Sequence, residues 1–190
     1  MNFDFFMYIY YGLARARAVF YRLVTGFGFK SVGSHLKIFC THAMKIGDGL
    51  SVGDGCWIQA VTSYKGNRYT PLLMIGSDVS FSDGVHVSCV KEIRIGSGTL
   101  VGSTVYIGDH SHGTTDLSAS DMKVPPALRP LSDAAPIWIG DNVWIGDGAR
   151  ILAGAHIPDG SVVGANSVVK ARFADSGIIA GAPASMKKKF

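Results

Sequence analysis

Large aliphatic side chains return every sixth residue along much of this chain. Ile139, Ile145, Ile151, Ile157, Val163 and Val169 keep the interval without a break. Shorter runs repeat it at Ile46, Val52 and Ile58, at Ile75, Phe81 and Val87, and at Ile95, Val101 and Ile107. A period of six matches neither the 3.6 of an α-helix nor a heptad; it fits a short strand, a corner and another short strand. The residue after each aliphatic is usually small, as at Gly47, Gly53, Gly96, Gly102, Gly140 and Gly146. Turn formers such as Asp48-Gly49, Asp54-Gly55, Asp141-Asn142 and Asp147-Gly148 stand between. Gly and Asn tolerate the left-handed backbone that a sharp corner needs. Three hexads close one turn of a triangular prism, and stacked turns pair as parallel strands, each satisfying its neighbour's backbone. A β-sandwich alternates at period two between irregular loops and would not hold one register from Ile139 to Val169.

The register breaks in three places. Residues 61–73 form a polar loop, and a two-residue slip separates Val87 from Ile95. The large excursion, residues 109–136, holds Pro125, Pro126, Pro130 and Pro136. A long loop inside a compact repeat fold is usually functional or disordered. Residues 1–30 do not follow the repeat and carry ten of the chain's twenty aromatics. Phe3 to Val24 predicts a helix weakened by Gly12. It reads either as a cap over the first coil, covering its open strand edges, or as an interfacial anchor with Arg15, Arg17 and Arg22 near lipid headgroups. The apolar stretch from Phe5 to Ala14 is too short to span a bilayer, and no secretory signal is expected. The repeat domain is expected over 31–186, with 187–190 as a basic tail.

With 190 residues, 47% of them hydrophobic, the chain can bury one sizeable core. The net charge of +4 is too modest and local for nucleic-acid binding. Lys170, Lys187, Lys188 and Lys189 near the end fit a phosphorylated ligand better. Cys40, Cys56 and Cys89 form an odd set without a CxxC pair, which points to a reducing compartment and against a metal site built on cysteine.

His110 and His112 open the large excursion in the string YIGDHSHGTT. A histidine is suited to removing a proton near neutral pH, although loop histidines are commonly just solvated. Asp109 reads first as a turn former, because Gly-Asp recurs at other corners, and second as a partner that orients His110.

The coils, GDHSHG, RPLSDAAPIWIGDNVWIGDGARILAGA and the ending VVGANSVV…IIAGAPA together resemble the hexapeptide-repeat acetyltransferases. The subgroup most similar is that of bacterial O-acetyltransferases of lipopolysaccharide, O-antigen and exopolysaccharide synthesis. The resemblance covers roughly residues 46–188. It implies an all-β, left-handed parallel β-helix with an N-terminal helical cap and a protruding loop. The left hand comes from the resemblance, since parallel crossovers are normally right-handed. It implies an acetyl-CoA-dependent transfer to a sugar or oligosaccharide hydroxyl, with His110 as general base and His112 in a supporting or loop-holding role. It further implies a homotrimer with acetyl-CoA in a groove between subunits. Trp144 and Gly146 would line the pantetheine end, Ala165 and Lys170 would lie further along, and Lys187 and Lys188 would meet the phosphates. Ser185 stands where galactoside acetyltransferases tend to have Arg. The expected location is cytoplasmic, at the inner face of the membrane if the N-terminal segment anchors there. Three alternatives stay open: N-acetylation of a nucleotide-linked amino sugar, a zinc carbonic-anhydrase-like enzyme using His86, His110 and His112, and a non-catalytic scaffold.

Overall fold

Each hexad of the sequence becomes a short strand and a corner, and the strands stack in three parallel sheets that form the faces of a prism. The first face contains Leu50–Val52, Ser80–Phe81, Leu100–Val101, Trp144–Ile145 and Val162–Val163. The second contains Trp57–Ala60, His86–Cys89, Tyr106–Gly108 and Arg150–Leu152, and the third Leu72–Ile75, Glu92–Ile95, Ile137–Ile139 and His156–Ile157. The chain visits the three faces in that order on every turn, as a left-handed parallel β-helix. The computed structural model describes residues 3–114 and 123–190, so residues 1–2 of the N-terminal segment and 115–122 of the excursion lie outside the described residues.

The aliphatic register is the interior. Every member is buried except Ile46, at the first coil, which is partly buried. Corners turn through left-handed residues where the sequence placed Gly and Asn, with φ 66° at Gly55, 54° at Asn142 and 69° at Gly148. The aspartates of these corners tie each coil to the one before. Asp147 Oδ1 accepts the Ser103 N–H at 2.8 Å, and Asp141 Oδ1 accepts the Ser97 N–H at 2.6 Å.

The interruptions are stacked. Residues 61–71, 90–91 and 109–136 all lie between the second and third faces, in consecutive coils. One edge of the prism therefore carries every departure from the repeat, and the two loops on it touch. Tyr64 donates its hydroxyl to the Ala127 carbonyl at 2.8 Å, and the Tyr69 hydroxyl accepts the Leu131 N–H at 2.8 Å.

The N-terminal segment is an α-helix, Phe3–Thr25, which runs through Gly12. Its second half caps the first coil. Ala14 and Ala18 are buried there, Arg17 Nε donates to the Val32 carbonyl at 2.8 Å, and the Tyr21 hydroxyl donates to the Leu36 carbonyl at 3.1 Å. Its first half leaves Phe5, Phe6, Tyr8, Ile9, Tyr11 and Leu13 exposed. Among the described residues no helix is long and apolar enough to cross a membrane. The basic tail expected at 187–190 is a strand as far as Lys189. Ala184–Lys189 turns back antiparallel along Gly177–Gly181 and covers the last strand edge of the first face.

Coils approach so closely that some corners have no room for a Cβ. At Gly96 one would collide with the backbone carbonyl of Gly140 in the next coil. Gly96→Ala is expected to lower unfolding free energy by roughly 1–3 kcal/mol through overpacking, as read by urea denaturation. A variant as stable as the wild type would show that the coils can spread.

Candidate active site

The site begins with the two-residue slip. Two extra residues at 90–91 pull three successive backbone N–H groups out of the regular ladder, and buried donors need partners. Asp109, on the next coil, supplies them. Its Oδ1 accepts the Val90 N–H, and its Oδ2 accepts those of Lys91 and Glu92, each at 2.8 Å. The carboxylate is fully buried. Burial alone would raise its pKa. The His110 hydrogen bond and the three backbone donors outweigh that effect and hold it below the usual carboxylate range.

The same carboxylate holds His110, whose Nδ1 lies 3.0 Å from Asp109 Oδ1. A carboxylate at that distance fixes the tautomer with hydrogen on Nδ1 and leaves Nε2 as a base. The reading of Asp109 as primarily a turn former is therefore corrected. The carboxylates of Asp141 and Asp147 each bond a backbone N–H of the preceding coil at their corners. Asp109 instead bridges a bulge and an imidazole.

His110 lines a cavity of about 380 Å³ between the two loops. His112 is on its wall, held in a short antiparallel pairing of Ser111–His112 with Leu131–Ser132 and edge-on to Tyr64 at 5.3 Å. His86, Trp57, Gln59 and Tyr106, which the sequence did not nominate as substrate contacts, line it as well. Their signal was their outward position on the second face, two to four residues before the loop-bearing edge. The three imidazoles share this cavity. Among the described residues, no three His, Cys, Asp or Glu side chains are grouped to hold one metal ion.

Most of the expected cofactor residues lie elsewhere. Trp144 projects from the first face between Leu100 and Val162 and is 54% exposed. Gly146 meets the next coil so closely that a Cβ would lie 2.6 Å from the Ala165 backbone nitrogen. Ser185, Lys187 and Lys188 are exposed on the last strand of the first face, with Lys187 Nζ donating to Ser185 Oγ at 2.9 Å. Lys170 follows the last strand of the second face, on the edge that carries His110 in an earlier coil. In a triangular prism the first face is opposite the edge between the second and third. One chain therefore cannot bring Trp144 to His110.

Residues 136–171 match the bacterial transferase hexapeptide (six repeats) family. WbbJ of Escherichia coli (strain K12), a protein named for O-acetyl transfer in lipopolysaccharide biosynthesis, is 38% identical over 126 residues, which cover 63% of this chain and 61% of WbbJ. The chain thus spans about three fifths of that relative's length. A mutant of AntD, an N-acyltransferase from Bacillus cereus, was solved with dTDP-4-amino-4,6-dideoxyglucose and coenzyme A. It matches with a TM-score of 0.66 at 18% identity, over 86% of this chain and 84% of that chain. A hexapeptide-repeat acetyltransferase from Vibrio cholerae O1 biovar eltor, solved with acetyl coenzyme A, matches with a TM-score of 0.53 at 22% identity, over 94% of this chain and 87% of that one. Both likenesses concern the fold.

Asp109→Asn is expected to turn an amide N–H toward backbone N–H groups. Stability should fall by about 1–3 kcal/mol. Because the native carboxyl titrates below its unfolded value, its stabilisation is present above about pH 4 and lost as pH falls further. The melting temperature of the wild type should therefore drop more steeply below about pH 4 than that of the variant. Parallel melting curves from pH 3 to 7 would refute the Asp109 assignment.

Proposed function

We propose that this hexapeptide-repeat β-helix is an acetyl-CoA-dependent O-acetyltransferase that modifies a sugar hydroxyl in cell-surface polysaccharide or lipopolysaccharide synthesis. The observation that carries the reading is the buried Asp109 carboxylate on His110 Nδ1, at the wall of a cavity built by two loops. His110 Nε2 takes the acceptor hydroxyl proton as the oxygen attacks the thioester carbonyl. The tetrahedral adduct then expels the CoA sulfur, which carries the proton away as thiol. Acetyl goes directly to the sugar, with no acyl-enzyme. Proton removal by a positioned base contributes roughly a hundred- to ten-thousand-fold. His112 shapes the loop beside it. Acylation of a nucleotide-linked amino sugar is the second reading. The AntD complex with coenzyme A and a dTDP-linked amino sugar favours it, and the same base would serve an amine.

The active unit is a homotrimer, in which Trp144, Gly146 and Ala165 of one copy face His110 of the next. Supporting this are the opposite placement of the two clusters within one chain and the exposed indole of Trp144. Lys170 lies further along the groove, and Lys187 and Lys188 are the phosphate contacts, with Ser185 beside them. The location is cytoplasmic, supported by three free cysteines. The exposed first half of the helix is turned to the inner face of the membrane, which co-sedimentation with anionic vesicles checks.

Thiol release from acetyl-CoA should be followed with methyl glycosides of glucose, galactose, mannose and rhamnose, with UDP-N-acetylglucosamine and with a dTDP-linked 4-amino sugar. His110→Ala should lower turnover roughly a hundred-fold or more with an unchanged circular dichroism spectrum, and His112→Ala should cost less. Transfer only to the amine would replace O- by N-acetylation. No transfer and no heat of binding with acetyl-CoA would remove the acetyltransferase reading. Light scattering should give a trimer whose acetyl-CoA affinity falls on Trp144→Ala. An active monomer indifferent to that change would overturn the shared groove.

A further inference from the structure

The cavity beside His110 also holds the imidazole of His86, to which the reaction above gives no role. Trp57, His86 and Tyr106 stand in register on three neighbouring strands of the second face. The Trp57 and His86 rings are stacked, 4.5 Å apart and 8° from parallel, and Tyr106 meets His86 edge-on at 5.3 Å. Trp57 thus covers one face of the His86 ring, and Tyr106 packs against the ring from the next strand. His86 Nε2 is buried and has no hydrogen-bond partner, and the same holds for Trp57 Nε1. A ladder built only for packing would need neither nitrogen, since phenylalanine would fill the space without a buried polar atom. Unpaired buried donors and acceptors are costly and rare. Here two occur side by side in rings that line the cavity of the base. Burial, together with the nearby His110, holds the His86 imidazole below its ordinary range. At neutral pH it is uncharged and keeps one nitrogen that donates and one that accepts. That suits a hydroxyl, which can do either.

We propose that His86 contacts the acceptor directly, with Nε2 hydrogen-bonded to a hydroxyl next to the one that His110 deprotonates, and with Trp57 Nε1 donating to a further acceptor oxygen. The assignment rests on the acetyltransferase reading, and makes His86 and Trp57 the residues that choose which hydroxyl is acylated. Gln59 Nε2 donates to Ser88 Oγ at 2.8 Å on the next row of the same face.

His86→Phe keeps the ring stack and removes the nitrogens, while His86→Gln restores a polar group near the Nε2 position. With the methyl glycoside or nucleotide sugar that the wild type acetylates fastest, His86→Phe should lower kcat/KM for the acceptor roughly tenfold or more. The KM for acetyl-CoA and the circular dichroism spectrum should stay unchanged, and His86→Gln should recover most of the loss. Saturation-transfer NMR with the same sugars, without acetyl-CoA, reads binding apart from chemistry. Binding lost in His86→Phe supports the subsite even if the wild type transfers no acetyl group. If the wild type transfers acetyl and His86→Phe does so equally well, the subsite falls and the enzyme remains. No sugar bound and none acetylated overturns both.

Discussion

Everything in this molecule depends on the backbone of one coil finding its partners in the next. The strands are two to four residues long on most coils, too short to hold a sheet by side chains alone. What fixes them is the pairing between coils, which requires every corner to return the chain to the same height. Left-handed residues at the corners, corner glycines without room for a Cβ and one large aliphatic per hexad all serve that closure. Where the hexad is lengthened, the pairing fails locally and another group has to satisfy the backbone.

Asp109 is that group, and it ties stability to chemistry. The carboxylate that closes the bulge at 90–92 is also the one that holds His110. A histidine on a protruding loop would ordinarily be loosely aimed. Here its orienting partner sits at the end of a coil strand and is locked by three backbone donors, so the rigidity of the prism reaches the imidazole through one residue.

The hexads were legible because a six-residue period of buried aliphatics has few other solutions, and the corners because Gly and Asn announce a left-handed backbone. His110 stood out through its string. The role of Asp109 was hidden, because its Gly-Asp looks like every other corner. What distinguishes it is the slip one coil earlier, some twenty residues away in sequence. His86 was masked for a similar reason, since an outward rung on a strand acquires meaning only from the rungs beside it, Trp57 and Tyr106. The terminal lysines read as a tail because charge alone does not reveal strand pairing. The distance between Trp144 and His110 is a property of prism faces, which linear spacing does not express.

Stacking all three interruptions on a single edge gives the prism a bound side and an open side, as in a book. The first face and the two edges that flank it carry the register and cannot change length without shifting every coil beyond. The edge between the second and third faces already carries connections of 2, 11 and 28 residues within one chain. Loops there can be exchanged while His110, anchored in the coil by Asp109, stays in place. The loop wall of the cavity and the aim of His110 are therefore separately heritable in this architecture. One is written in the margins of the repeat, and the other in its binding.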